Sequence, residues 1–429
     1  MVKKILSKQP PKGTSDWLPE EFKIRQYIFD TWRKVCLRYG FLEYLSPLVE
    51  SADLYRAKSG EDVGGQELMT FKDLADRELC IRPEMTPSVT RMVSKVYASS
   101  PKPLKLFSIA NFMRNEKPQR GRNREFWQLN CDIFGSSSIA ADLEIMQLSL
   151  DIMEEFKAPK NSFTLRISSR RLLEEMLPFF GVKKGDSQEL FRILDKYKKL
   201  SQKEFYNRLK ALDVKTEKLE DIENLMSRNN EKVINDLMSS SNDLKTAKEE
   251  IDFIVNSLKS LGYSQDIVFD PSLVRGFDYY DGLIFEVFDN NPNNLRAMFG
   301  GGRYNGLAEI FGSSSFPAVG FAPGDETTKL FLESWNLIPE SLIKKENLIY
   351  FPLLSADLLI ESQKLVAKLR KDNNLVYFAF EPQRLKKALD VANKQNYSQL
   401  IIFGFEEKEE GVYKIKDLKT GQEKIYPLN

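Results

Sequence analysis

A chain of 429 residues is too long for one ordinary hydrophobic core, so two or three domains are expected. Its 63 basic and 62 acidic residues nearly cancel, which excludes a global field for nucleic acid and leaves only local charged patches. It has no histidine and only three cysteines, Cys36, Cys80 and Cys131, which excludes imidazole bases, Ser-His-Asp triads, metal ligation by histidine, thiolate zinc sites and a disulfide framework.

The opening "MVKKILSKQPPKGTSDW" is basic but has no apolar h-region, so a secretory signal is not expected. No apolar run approaches membrane-spanning length, and the sparse cysteines fit a reducing cytoplasm. Residues 20–39 read as an amphipathic helix: Ile28, Trp32, Val35 and Tyr39 recur at helical spacing and Gly40 closes it. "FLEYLSPLVE" reads as a strand broken at Pro47. In "RPEMTPSVTRMV" (82–93), Thr86 and Pro87 make a good N-cap and first helical residue, while Glu84 and Thr86 could also face a ligand amine. "KLFSIANFMRN" and "FWQLNCDIFG" flank the loop "EKPQRGRNR", the shape of an antiparallel hairpin with a long charged tip. Residues 175–260, rich in Lys, Glu, Asn and Leu, have helical periodicity and read as an inserted helical subdomain. Residues 266–335 return to strands and glycine loops. After a linker near "NLIPESLIKKEN", strands and helices alternate from about 345, which implies a small α/β domain with a largely parallel sheet. The expected division is 1–335 and 345–429.

The charged hairpin carries the first chemical signal. Five positive side chains, among them Arg114, Arg120, Arg122 and Arg124, occupy the eleven residues from 114 to 124. Phe126 and Trp127 follow, then Gln128, Asn130 and Asp132 alternate with apolar residues as on a pocket floor. A solvated basic face is the plain alternative. Guanidinium groups match phosphate oxygens in bidentate geometry, however, and an aromatic ring can stack on a base. The pattern fits a nucleoside triphosphate laid across a sheet, with Arg114 on a phosphate, Phe126 on the purine and Arg122 near the terminal phosphates. There is no GxxxxGK[ST] and no GxGxxG after a strand, so ATP would be bound by another architecture. In "LVRGFDYYDGLIFEVF" (273–288), Tyr279 and Tyr280 suit a hydrophobic core, but Arg275 stands where an apolar residue would suit a core strand better. The three glycines of "FGGGRYNGL" (299–307) let backbone approach a ligand closely, although a flexible turn explains them as well.

In this order, these stretches resemble the class II aminoacyl-tRNA synthetases, and within them the histidyl-tRNA synthetases. "KGTSDWLPEE" looks like the family's N-terminal signature. "FMRNEKPQRGRNREFWQLNCDIFG" is similar to its second motif and "LVRGFDYYDGLIFEV" to its histidine-specific peptide, and "GGGRYNGL" follows. The resemblance covers almost the whole chain. It implies an α+β fold: an antiparallel β-sheet core with flanking helices, a helical insertion and a C-terminal α/β anticodon-binding domain. It also implies a ligase that activates L-histidine with ATP and Mg²⁺ and charges tRNA(His), acting as a cytoplasmic homodimer. The helix at 20–39 and the segment around Pro47 would form the dimer interface.

Residue by residue, the resemblance gives Arg114 the α-phosphate and adds Glu116, Arg122 and Phe126 to the ATP site. Glu84 and Thr86, with Gln128, would hold the α-amino group of the histidine, and Met85, Arg114 and Arg275 would also touch that substrate. Asp132 and Tyr280 read the imidazole, with Tyr279 nearby. Arg275 meets the α-phosphate from the opposite side. One position departs from the pattern. The third motif commonly carries an arginine against ATP, and "FPAVGFAPGDETTKL" has Thr327 there. Some branches of the family share that Gly-Asp form. A regulatory paralogue of the kind that controls ATP phosphoribosyltransferase, or a non-catalytic tRNA-binding module, is the alternative. The retained Arg114, Arg275 and C-terminal domain argue against both.

Overall fold

The computed structural model describes residues 6–57, 59, 62–197, 200–226, 231–238, 241–263, 266–273, 279–294, 296–342 and 345–428. The chain divides into two units, Met1–Leu337 and Ile338–Asn429.

In the first unit, helix α1 (Pro19–Arg38) starts with proline in its first turn and with Glu20 and Glu21, both favourable at the positive end of a helix dipole. Ile28, Phe29, Trp32, Val35 and Cys36 form its buried face. "FLEYLSPLVE" does not stay in one sheet. It gives β1 (Leu42–Glu43) and β2 (Val49–Ser51), which join different sheets on either side of Pro47, a residue with no N–H to give to a ladder. After helix α2 (Ala52–Arg56), β3 (Met69–Lys72) and β4 (Glu78–Ile81) pair antiparallel and complete a three-stranded sheet in the order β2-β4-β3. Helix α3 (Thr86–Val96) follows. Met85 holds its N-cap position and Thr86 is its first residue, with no side-chain capping bond. The expected Thr86 cap is therefore displaced by one residue.

Strands β5 (Leu104–Met113) and β6 (Glu125–Phe134) form the expected hairpin, in register from Leu104 opposite Phe134 to Met113 opposite Glu125. Helix α4 (Ile139–Glu155) and β7 (Phe163–Ser169) come next. Among the described residues, six α-helices then lie between 170 and 260: α5 (Arg170–Phe180), α6 (Ser187–Asp195), α7 (Gln202–Lys210), α8 (Leu219–Met226), α9 (Glu231–Met238) and α10 (Asn242–Ser260). Ser169, Ser201 and Ser241 cap three of them through their side chains, and Ser169 starts the first directly at the end of β7. The chain returns through β8 (Asp266–Phe269), β9 (Leu283–Asp289), β10 (Ala297–Arg303) and β11 (Ala318–Pro323) to helix α11 (Asp325–Ser334).

The resulting sheet has eight strands in the order β1-β5-β6-β11-β10-β9-β7-β8. Its six central strands pair antiparallel, and both edge strands pair parallel. With the helices packed on it, this is the α+β core expected.

The second unit has β12 (Lys345–Pro352), helix α12 (Leu359–Lys371), β13 (Leu375–Ala379), helix α13 (Leu385–Lys394), β14 (Tyr397–Ile402), helix α14 (Phe405–Glu409), β15 (Val412–Asp417) and β16 (Glu423–Pro427). The order is β13-β12-β14-β15-β16, with the first three parallel and the last two antiparallel. Strand β16 is added by a tight turn in which Asp417 accepts hydrogen bonds from the N–H groups of Lys419 and Thr420.

Candidate active site

Successive side chains of a strand point to opposite faces, and β6 uses both. On one face, Trp127 and Cys131 pack against α1: the Phe29 ring centroid lies 5.2 Å from Trp127, and the Cys36 and Cys131 sulfurs are 4.0 Å apart. On the other, Phe126, Gln128, Asn130 and Asp132 line a cavity of about 220 Å³. The polar alternation in "FWQLNCD" thus reflects a pocket floor.

The arginine loop borders this cavity. Its base is closed by the Arg114 N–H, which donates to the Arg124 carbonyl at 2.8 Å. The Gly13 carbonyl accepts from the N–H groups of Arg124 and Glu125 at 2.8 and 3.1 Å, so "KGTSDW" clamps the loop from outside. Gly13 has φ +88°, and a Cβ there would lie 2.7 Å from Arg124 Cγ, so only glycine fits. Arg114 is held by Nε donation to the Pro83 carbonyl at 3.0 Å and lies 5.2 Å from the Phe126 ring centroid. Phe126 stacks in turn on Phe112 at 5.7 Å. Arg122 bridges Glu116 and also Glu67, the latter at 3.4 Å. Burial raises the Glu116 carboxyl above its ordinary pKa, against the opposing pull of Arg122.

At the deep end, Asp132 is buried and Tyr304 donates to its Oδ1 at 2.5 Å. Burial pushes this carboxyl up to about 7, although the Tyr304 hydrogen bond pulls the other way. Strand β11 places Gly320 opposite Asp132, where a Cβ would fall 2.0 Å from Oδ1 and 2.7 Å from the Cys131 carbonyl. Tyr279 donates to Glu84 Oε2 at 2.9 Å, and burial followed by the Glu84 charge raises its phenol well above the ordinary value. The Tyr280 ring lies 4.9 Å from Tyr279.

Of the residues selected from sequence, Glu84, Thr86, Arg114, Glu116, Arg122, Phe126, Gln128, Asp132, Tyr279 and Tyr280 all line this one cavity. Met85 does not. Its side chain is fully buried in the core beside Phe112 and Tyr280, with the Ser46 hydroxyl 3.3 Å from its sulfur. Arg275 lies outside the described residues. Thr327 lines the cavity, and its hydroxyl is bound to the Met298 and Gly324 carbonyls at 2.8 and 3.1 Å.

Three further residues went unselected. Asn130 stands in the polar alternation but received no role. It is buried, and its Nδ2 makes no hydrogen bond among the described residues. Tyr304 follows the glycine run directly. Asp325 is fully buried, accepts from the Trp127 N–H at 2.9 Å, and is pushed up to about 7 by burial against the opposing Arg25 charge. Arg25 is itself buried, and reaches the Asp325 carbonyl at 3.1 Å and Glu326 at 2.6 Å. The signal for this pair is an arginine on the apolar stripe of α1, one turn before Ile28 and Phe29.

Among the described residues, no three His, Cys, Asp or Glu side chains are grouped to hold a metal ion. No described helix is long and apolar enough to cross a membrane.

The sequence model of the family described as histidyl-tRNA synthetase matches residues 13–325. The histidine–tRNA ligase of Leptospira biflexa is 40% identical over 425 residues, covering 98% of this chain and 95% of that protein. That of Pyrococcus abyssi is 37% identical over 97% of this chain and 96% of its own length. The crystal structure of histidyl-tRNA synthetase from Nostoc sp. PCC 7120 superposes with a TM-score of 0.79 over 99% of this chain and 98% of that one, at 20% identity. With the arginine loop, the glycine-backed carboxylate and the paired tyrosines gathered at one cavity, these matches establish that the chain belongs to the histidyl-tRNA synthetase family.

Proposed function

We propose that the cavity binds ATP and L-histidine, joins them as histidyl-adenylate with release of pyrophosphate, and passes the histidyl group to tRNA(His). The observation that carries this reading is the shared lining: a buried carboxylate, Asp132, and the arginines Arg114 and Arg122 belong to one cavity. Neutral imidazole offers one donor and one acceptor. Asp132 takes the ring N–H, the Tyr280 phenol serves the other nitrogen, and an apolar side chain of the same shape would leave both groups unpaired. Glu84, Thr86 and Gln128 hold the α-amino group, and Tyr279 orients Glu84.

Arg114 takes the α-phosphate, with Glu116, Arg122 and Phe126 completing the ATP site. Mg²⁺ would accompany the nucleotide and offset part of its charge. Arg275 is assigned to the α-phosphate on the opposite side by resemblance alone. There it stabilises the charge that develops as the histidine carboxylate attacks. Positioning and electrostatics carry the step, so a chain without histidine is fully equipped for it. The second unit, residues 338–429, reads the anticodon as splayed single strand. The working form is a cytoplasmic homodimer joined through α1 and the segment around Pro47.

The test is amino-acid-dependent exchange of pyrophosphate into ATP, followed by charging of tRNA(His). Histidine alone of the twenty amino acids should support exchange. Exchange with another amino acid would overturn the histidine assignment, and none with any would overturn the catalytic reading and favour a regulatory or tRNA-binding paralogue.

A further inference from the structure

A second recess of about 240 Å³ adjoins the cavity and shares Gly121, Met298 and Thr327 with it. The tip of the arginine loop divides the two. Gln119 and Arg122 pair across the tip, each N–H donating to the other's carbonyl at 2.9 Å. Arg122 lines the cavity, whereas Gln119, Arg120 and Arg296 line the recess. At the passage, Gly121 has no side chain, and a Cβ there would lie 3.1 Å from Leu330 Cδ1 and 3.8 Å from Thr327 Cγ2. Thr327 is short, and its hydroxyl is turned onto the Met298 carbonyl.

The charges differ on the two sides of the tip. Arg122 already faces two carboxylates, Glu116 and Glu67. Among the described residues, neither Arg120 nor Arg296 has a carboxylate partner; Arg296 donates to the neutral Oε1 of Gln119 at 2.5 Å. Asp289 also lines the recess, but its oxygens accept from the Asn291 N–H at 2.8 Å, Trp335 Nε1 at 3.0 Å and Asn294 Nδ2 at 2.6 Å. Two guanidinium groups therefore stand against one carboxylate that is already satisfied. A basic recess opening from a nucleotide cavity suits the anionic tail of that nucleotide.

We propose that the recess takes the β- and γ-phosphates of ATP and the pyrophosphate that leaves, with Arg296 as its principal cation and Arg120 as its second. This rests on the nucleotide reading above, and it supplies the guanidinium that position 327 lacks. Arg296 and Met298 are two apart and share the recess wall, and the Met298 carbonyl holds Thr327. Arg296 immediately precedes β10, whereas Thr327 lies on α11.

The experiment measures ATP, AMP, inorganic pyrophosphate and tRNA(His) affinities of the full chain by calorimetry, with Arg296→Ala, Arg296→Lys and the Arg120→Ala/Arg296→Ala pair. Loss of a charge-assisted contact at an open site should weaken ATP and pyrophosphate by about tenfold, and further in the pair. AMP, which has no tail, should bind as before, and lysine should restore part of the loss. Unchanged ATP affinity in both alanine variants would overturn the proposal. Equal weakening of ATP and AMP would do so too, since the defect would then lie in the shared cavity. Weakened tRNA binding with ATP unaffected would assign the arginines to RNA phosphates instead. Histidine-dependent exchange by the unaltered chain tests the parent reading separately. If exchange is absent while ATP still binds and Arg296→Ala weakens it, the recess stands and the adenylate reading falls.

Discussion

Asp132→Asn should make the first unit more stable at neutral pH and impair it as an enzyme. The folded carboxyl lies at about 7 because it is buried, with Tyr304 as its hydrogen-bond donor, whereas an unfolded aspartate titrates near ~3.9. An acid whose pKa rises on folding binds more protons when folded, so its contribution falls as pH climbs from about 4 to about 7 and is lowest above that window. The full gap corresponds to about 4 kcal/mol, of which roughly a third has developed by pH 5. Asparagine keeps an oxygen for the Tyr304 hydroxyl and has no proton to lose. The variant should therefore exceed the parent in unfolding free energy by up to about 4 kcal/mol at pH 8, and by much less at pH 5. Exchange should fall because the charged acceptor for the imidazole N–H is gone, by about 10- to 100-fold in kcat/KM for histidine. Urea unfolding at the two pH values, paired with pyrophosphate exchange, measures both effects. A variant no more stable than the parent at pH 8, or a stability gap that does not grow between pH 5 and 8, would refute the claim that Asp132 is a buried carboxylate held against its own desolvation.

The pocket floor can be tested from the neighbouring strand. Gly320→Ala puts a Cβ 2.0 Å from Asp132 Oδ1, so it should raise the KM for histidine and destabilise the fold by about 1–3 kcal/mol; an unchanged KM would place the imidazole elsewhere. Arg275→Ala should lower the rate of adenylate formation by roughly 10²–10³ with smaller effects on substrate binding, and a raised KM for ATP with kcat unaltered would make it a ground-state contact instead. Ending the chain after Leu337, the boundary between the two units, should spare exchange and abolish efficient tRNA charging; equal loss of both would make residues 338–429 structural.

The site was legible where a side chain's chemistry conflicted with its local pattern. Arginines crowded into a hairpin tip, and polar residues alternating along β6, are both poor choices for a buried strand, and both mark the cavity. The hairpin could be read as well, because two apolar-rich stretches flank one charged loop, and the structure pairs them from Leu104 opposite Phe134 to Met113 opposite Glu125. What could not be read depends on contacts between distant segments. Asp325 matters because Arg25, 300 residues earlier, reaches it inside the fold. Tyr304 matters because β6 and β11 carry Asp132 beneath it, and no local pattern announces that pairing. Met85 lies between Glu84 and Thr86 in the sequence, but its side chain is buried in the core while theirs line the cavity, since successive residues at a helix start do not share one direction. The split of "FLEYLSPLVE" between two sheets was likewise invisible, because a proline marks a break without saying where the chain goes next.

The missing histidine acquires a physical meaning once the buried acids are placed. Few side chains other than histidine change charge near neutrality unless their surroundings shift them. Here burial raises several carboxyls, Asp132 and Asp325 to about 7 and Asp281 to about 6. Asp132 and Asp325 line the cavity, and Asp281 accepts from the Asn305 N–H beside Tyr304 at 2.9 Å. Titration near the active site is therefore supplied by desolvated carboxylates. They differ from imidazole in sign, since protonation removes a negative charge and adds no positive one. On the proposed reading, a substrate imidazole entering beside Asp132 is the only histidine side chain present, with an ordinary pKa of about 6.5. Carboxyl and ring then titrate as one coupled pair, and an acid limb near neutrality in the activity belongs to that pair and not to either group alone. Asp132→Asn removes one member and leaves the substrate's, so the limb should move toward the pKa of free imidazole while Asp325 and Asp281 stay as they are. A limb that does not move would transfer the titration to Asp325, behind the Arg25 contact, and would separate the proton chemistry of this cavity from its recognition of the ring.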